Sequence, residues 1–250
     1  VGISFYTLQV ISYLADIYRG RITAQKNPAK FILFVLFFPQ IVQGPIPRYD
    51  RLADQLYAGR RFDERMVVGG FYRILWGFFL KLMIASQAAR FVDCVYESYQ
   101  IYVGYYVLVA GILYSIELYA DFAACISISK GVANLFGIEL ADNFRHPYLA
   151  VSVKDFWHRW HITLSEWLKD YIYIPLGGSR KGRIRTYINL ILTFLVSAIW
   201  HGAGLRFLVW GMMHAAYQII GDLTRNIQRK AATILGLGES AGLTLWIRRV

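Results

Sequence analysis

Cysteine is nearly missing from this chain. Cys94 and Cys125 are the two it has, and no metal-ligand spacing surrounds either. They read as unpaired thiols used as small apolar residues, not as a disulfide framework. The short catalytic and nucleotide-binding signatures are absent as well: no G-x-S-x-G elbow, no Walker loop, no dinucleotide fingerprint and no H-E-x-x-H pair. No bound cofactor and no metal site are therefore expected. There is no tandem repeat and no low-complexity linker, which makes a single domain over residues 1–250 the economical organisation. An initiator Met and a signal-peptide pattern are lacking too. The chain opens inside an apolar run and stops abruptly, so it reads as a piece of a longer protein, truncated at both ends.

Charge is thin, at 17% of residues, whereas 56% are hydrophobic and 16% aromatic, with mean hydropathy +0.38. That exceeds ordinary soluble domains and points to an all-α polytopic membrane protein. The formal charge of +11 does not imply nucleic acid. The basic residues sit in short clusters between apolar runs, as the positive-inside bias predicts, instead of covering one solvated face.

Residues 1–17 form a first apolar segment, marginal against the ~20 residues needed to cross ~30 Å of hydrocarbon. Residues 31–42, rich in Phe, break at Gln43-Gly44-Pro45-Ile46-Pro47. This predicts irregular backbone at membrane depth, tolerated only where protein or a water-filled cavity covers it. A mixed-sign loop over 48–65 leads to a span over 66–85 that carries Arg73 and Lys81; the stretch 102–136 carries Glu117 and Asp121 one turn apart. A charge at bilayer depth costs ~2.5–3.5 kcal/mol unless paired or wet, so some of these four are expected to meet. Snorkelling of Arg73 and Lys81 is the alternative. Further on, Arg180, Lys181, Arg183 and Arg185 mark a short cytoplasmic loop. Residues 186–200 and 205–221 read as up-and-back limbs around His201-Gly202-Ala203-Gly204, with Arg225, Arg229 and Lys230 beyond. The first limb is about 22 Å long at ~1.5 Å per residue, which would leave His201 below the far membrane surface.

The stretch 152–178 organises the rest. Ser152 and Asp155 have the S-x-x-D form of a capping box, so a helix should begin there. Trp157, Trp160, Leu164, Trp167, Leu168 and Tyr171 then recur at three- and four-residue steps, while most charges fall elsewhere on the wheel. The spacing predicts one amphipathic helix, too polar to cross a bilayer alone, ending at Pro175-Leu176-Gly177-Gly178. His161 shares the apolar face, with His158 one turn earlier. Isolated helical histidines are usually structural hydrogen-bonding residues, and that reading holds for His146, His158 and His214. His201 is the functional candidate, because an imidazole at a glycine-rich break in apolar surroundings is costly and accessible to a ligand. His161 stays open between the two readings, and no third ligand accompanies His158 and His161 to make a metal site.

Longer motifs add a resemblance. Asp155-Phe-Trp-His-Arg-Trp160-His161-Ile-Thr-Leu-Ser165, then Asp170-Tyr-Ile-Tyr-Ile-Pro-Leu-Gly-Gly178, then Ile199-Trp200-His201-Gly-Ala203 closely resemble the signature of the membrane-bound O-acyltransferase family. The nearest likeness is its bacterial branch of alginate O-acetylation and teichoic-acid D-alanyl transfer. Phe37-Phe-Pro-Gln40, Asn143-Phe144 with Pro147-Tyr148, and Trp210-Gly211 with His214 match as well. The resemblance implies a bundle of transmembrane and slanted or re-entrant helices around a central tunnel, where acyl donor and acceptor meet from opposite faces. It implies His201 as the main catalytic residue and His161 as a second, with Trp200, Asp121, Trp160, Ser165 and Asn143 in support. It further implies an acyl thioester donor, acetyl-CoA or an acyl carrier protein, and a cell-envelope polysaccharide acceptor. The expected setting is the lipid of the bacterial cytoplasmic membrane, with an extracytoplasmic acyltransferase partner. After Tyr119-x-Asp121-Phe122 the acetylating relatives commonly continue S-G-Y-x-D, whereas this chain has Ala123-Ala124-Cys125-Ile126-Ser127, a departure that bears on the substrate. Ser165 and Thr163 are disfavoured as covalent nucleophiles, since nothing in the sequence pairs either with a base. A transporter using His201, Asp121 and Glu117 as a relay, and an inactive assembly scaffold, are the competing classes.

Overall fold

A computed structural model describes residues 3–225 apart from 42, 60 and 61. Arg229, Lys230 and the terminal apolar stretch lie outside the described residues. Those described form helices connected by turns and irregular segments, with one isolated antiparallel bridge between Phe144 and Trp160. The contacts gather into two units, residues 1–142 and 143–250.

The first unit contains α1 (Ile3–Tyr18), α2 (Pro28–Val35), α3 (Phe38–Ile41), α4 (Tyr49–Tyr57), α5 (Glu64–Phe79), a π turn (Leu80–Ala85), α6 (Ser86–Glu97) and α7 (Tyr105–Leu135). Starts follow local chemistry. Asn27 accepts from the N–H groups of Ala29 and Lys30 ahead of Pro28, and Asp63 does the same for Arg65 and Met66. The Phe-rich run over 31–42 is split into α2 and α3, because Pro39 has no N–H for the Val35 carbonyl and its ring clashes there. Gly44, Pro45 and Ile46 are irregular and buried, as expected of backbone covered by protein. Phe34, Phe37, Leu52, Ala133, Ile138 and Leu140 form the core that ties α2 and α4 to the end of α7.

The span expected over 66–85 is longer: α5, the π turn and α6 make one continuous helix, Glu64–Glu97, of 34 residues. Its second half loses continuous hydrophobicity at Gln87, Arg90 and Asp93 while keeping an apolar face, which is why composition alone ended it early. It runs antiparallel to α7, since Gly70 meets Gly131, Gly77 meets Ala124 and Lys81 meets Asp121. A Cβ on Gly70 would lie 2.7 Å from the Gly131 carbonyl oxygen, and one on Gly131 2.6 Å from that of Gly70. Only glycine allows backbones this close, the way membrane helices associate without a hydrophobic drive. The departure at 123–127 belongs to this seam. Ala124 is fully buried, its carbonyl 2.9 Å from where a Cβ on Gly77 would stand, and Ser127 Oγ donates to the Arg73 carbonyl at 3.0 Å.

Two of the four charges expected to meet do so, Lys81 with Asp121 as an ion pair. Arg73 is satisfied differently, donating from Nη1 to the Asn134 amide oxygen at 3.2 Å, with that amide turned so its nitrogen serves the Lys130 and Ile138 carbonyls. Lys130, nearly buried, pairs with Asp142.

The second unit holds a 3₁₀ turn (Pro147–Leu149), α8 (Val153–Arg159), α9 (Ile162–Leu168), a second π turn (Lys169–Tyr173), α10 (Arg183–His201) and α11 (Leu205–Leu223). The helix start at Ser152 is as expected: its Oγ accepts from the Asp155 N–H at 3.0 Å. The single amphipathic helix is not. It breaks at Trp160 and His161, because a neighbouring segment takes over its backbone hydrogen bonds. The first limb of the hairpin is also longer than expected, since α10 starts at Arg183 and includes His201. Its 19 residues cover about 28 Å. Length therefore no longer argues that His201 is sunk below a membrane surface. Among the described residues, Glu64–Glu97, Tyr105–Leu135 and Arg183–His201 are long and apolar enough to cross a membrane.

Candidate active site

The break between α8 and α9 places the first histidine. Trp160 is extended (φ −106°, ψ 130°) and His161 is left-handed (φ 45°, ψ 52°), a conformation that costs a non-glycine residue on the order of 1–2 kcal/mol. The chain here contains neither Gly nor Pro, so the cause is tertiary. In a continuous helix the N–H groups of Ile162 and Thr163 would bond to the carbonyls of His158 and Arg159. Instead Ile162 N–H donates to the Asn143 carbonyl at 3.0 Å, and Thr163 N–H to Asn143 Oδ1 at 3.0 Å. Thr163 Oγ1 donates to the same oxygen at 2.7 Å, and the Arg159 carbonyl accepts from Arg145 N–H at 2.9 Å. Trp160 anchors the bend, stacked on Phe156 at 5.5 Å and edge-on to Phe144 at 5.0 Å. Ser165 is part of the bend as well, its Oγ donating to the Trp160 carbonyl at 3.4 Å.

The second histidine closes α10, with Gly202 following. His161 and His201 are brought together across Trp200, whose ring centroid lies 6.1 Å from His161 and 4.8 Å from His201. Their surroundings differ. His161 is 3% exposed, whereas His201 is exposed on this unit. Burial first, and the charge of nearby His201 second, pull the His161 pKa down to about 3, so that its ring is neutral at physiological pH. Trp210 packs edge-on to His201 at 5.1 Å and to His214 at 4.9 Å, and Trp157 meets His214 at 5.0 Å. The predicted aromatic stripe is thus divided, with Trp160 in the bend and Trp157 among the rings of α10 and α11.

Supporting electrostatics sit on α8. Burial works against the Asp155 carboxylate, but Arg159 donating to Oδ1 at 3.0 Å, the Val151 N–H on Oδ2 at 3.1 Å and the neighbouring charges hold its pKa below the usual carboxylate range. Of the residues singled out from sequence, Trp200 joins the two histidines, while Asn143, Trp160 and Ser165 shape the bend. Asp121 is on α7 in the other unit, paired with Lys81. His158 and His146 are exposed, and His146 is itself left-handed at φ 47°. His214 is half-buried inside the aromatic cluster. Among the described residues, no group of three His, Cys, Asp or Glu side chains is placed to hold a metal ion. Thr163 as the partner of Asn143 went unseen in sequence, as did the cluster of Trp157, Phe194 and Trp210 around His214. Only the i,i+4 spacing of Trp210 and His214 hinted at the latter.

These residues lie within a match to the membrane-bound O-acyltransferase family that covers residues 22–235, and the chain belongs to that family. It is 40% identical over 220 residues to a probable alginate O-acetylase AlgI of Pseudomonas fluorescens, covering 88% of this chain and 44% of the relative. It is 36% identical over 240 residues to a peptidoglycan O-acetyltransferase of Helicobacter pylori (86% and 46%). It is 29% identical over 226 residues to a teichoic acid D-alanyltransferase of Bacillus subtilis (86% and 57%). The chain spans about half the length of these curated relatives. Family membership and the three long apolar helices make it a membrane protein.

Proposed function

We propose that this chain carries the catalytic part of a membrane O-acyltransferase. In this reading the enzyme moves an acyl group, acetyl in the first instance, from a thioester donor on the cytoplasmic side to a hydroxyl of a cell-envelope polysaccharide or an intermediate carrier. The setting is the bacterial cytoplasmic membrane, with an extracytoplasmic acyltransferase as partner. The observation that carries this reading is the convergence of His161 and His201 on Trp200 from helix ends far apart in sequence.

The two environments suit two roles. His201, the more accessible ring, is the base: it takes the hydroxyl proton as that oxygen bonds to the thioester carbonyl carbon. The carbon–sulfur bond of the tetrahedral intermediate then breaks, and the departing thiolate recovers the proton from the imidazolium. His161 is a poor base, because its imidazolium is too acidic to hold a proton from an alcohol. A neutral imidazole can instead donate its one N–H to the carbonyl oxygen as charge develops there. The acetyl assignment is supported by the O-acetyl-transferring names of the alginate and peptidoglycan relatives.

The test is the ester content of envelope polymers, measured as base-released acids and amino acids from cells with the full-length gene, without it, and with His201→Ala. Loss of one acyl species in both the deletion and the variant is expected, with a rate loss of about 10²–10⁴-fold for the missing base. Loss in the deletion alone would rule out catalysis by His201 and favour a scaffold.

A further inference from the structure

We infer that Asn143 is a positioning residue for the acyl-transfer step, acting through His161 by forcing and holding the break between α8 and α9; this rests on the functional reading above. The segment F-W-H-R-W-H-I-T-L-S-E-W has no local reason to stop being helical between Trp160 and Ile162. Left alone, it would keep its own ladder and leave His161 on a helix wheel beside Leu164 and Trp157. Asn143 removes that option with two acceptors. Its main-chain oxygen takes Ile162 N–H and its side-chain oxygen takes Thr163 N–H, the first two donors of α9.

Asn143 thus does for α9 what an N-cap residue does for an ordinary helix, from a position far upstream. The residue at the cap position is His161, and its side chain makes no capping bond. The imidazole is consequently not spent on closing its own helix, and lies edge-on to Trp200, which in turn contacts His201. The arrangement is stiff. Asn143 is 1% exposed, Thr163 is buried, and their two bonds converge on one oxygen at 2.7 and 3.0 Å. The flanking Phe144–Trp160 bridge and the Arg145-to-Arg159 bond keep the two strands of backbone in register on either side. Among these contacts Asn143 Oδ1 is the side-chain acceptor, taking both the N–H and the hydroxyl of Thr163, whereas the Ile162 and Arg145 bonds run to main-chain carbonyls.

The experiment uses the full-length protein in membrane vesicles, with acetyl-CoA as the acyl-donor probe and the cell's own envelope polymer as acceptor. Asn143→Ala is expected to lower kcat by about 10–100-fold with KM for acetyl-CoA within about threefold, the pattern of a displaced group and not of a lost binding contact. Asn143→Asp keeps an acceptor at the Oδ1 position and is expected to recover most of kcat. Thr163→Val deletes only the 2.7 Å hydroxyl bond; it should lose less than Asn143→Ala, and the double variant should be no worse than Asn143→Ala alone. Wild-type kcat in Asn143→Ala beside an inactive His201→Ala would overturn the positioning role while leaving the functional reading intact. If Asn143→Ala fails to fold, Thr163→Val decides: wild-type kcat there overturns the inference, and a reduced kcat at unchanged KM and melting temperature supports it. Transfer retained by His201→Ala would remove the functional reading, and this role with it.

Discussion

In the first unit, α7 runs unbroken for 31 residues against a 34-residue partner, and two glycines let the backbones touch. In the second, α8 and α9 last seven residues each and stop at a bend that local propensity does not ask for. Both units carry polar groups among apolar helices. The first answers them side chain to side chain between two long continuous helices: Lys81, in the π turn, forms an ion pair with Asp121, and Arg73 donates to the neutral Asn134 amide. The second unwinds the backbone and surrounds its histidines with rings. Long continuous helices with satisfied charges suit a frame, whereas a held break in the backbone suits a group that must face a reactant.

That contrast can be broken most forcefully at the glycine seam. Gly131→Leu on α7 places a Cβ 2.6 Å from the Gly70 carbonyl oxygen, while Gly111→Leu on the same helix meets nothing within 4 Å. Thermal unfolding of the full-length protein in detergent should show a loss of about 3 kcal/mol for the first and almost none for the second. Equal effects would mean that the seam is not a close contact. Next in size is Lys81→Met, which leaves Asp121 charged without its partner and should cost about 2–3 kcal/mol. The exchange Lys81→Asp with Asp121→Lys should restore most of that, and failure to do so would make the pair incidental.

The bend is sharpened by pH. His161 stays neutral down to about pH 3 when folded but titrates near ~6.5 when unfolded, so below that value the unfolded state binds more protons. Stability should be flat above about pH 6.5 and fall as pH drops toward 3, with a slope approaching ~1.4 kcal/mol per pH unit. His161→Gln should flatten this part of the profile; an unchanged slope would assign it to other groups. The smallest effect is expected at Ser152→Ala, which removes the acceptor for the Asp155 N–H. A loss of about 1 kcal/mol, seen as faster amide exchange confined to α8, would show that this end is held locally and the other end from a distance.

What could be read from residue order follows the same division. The long apolar stretches announced α5 and α7, the Ser152–Asp155 pair announced the start of α8, and opposite charges one seam apart foreshadowed the Lys81–Asp121 pair. These signals act within a few residues or depend on composition. The bend at His161 was not legible, because its cause is an acceptor on Asn143 that spacing within 152–178 cannot contain. The motif likeness singled out Asn143, His161 and His201 without saying what joins them. The length of α10 was misjudged for a related reason: Arg183 and Arg185 were read as loop because they are charged, although helix propensity favours arginine.

The Lys81–Asp121 pair also constrains how the protein is made. The two residues are separated by 40 positions, so the lysine leaves the ribosome well before its carboxylate partner. At ~5–20 residues per second the gap lasts on the order of seconds. During that interval the first helix carries an uncompensated cation, which favours keeping it at the insertion machinery until α7 emerges. The two helices would then enter the lipid as a hairpin, already neutral as a unit.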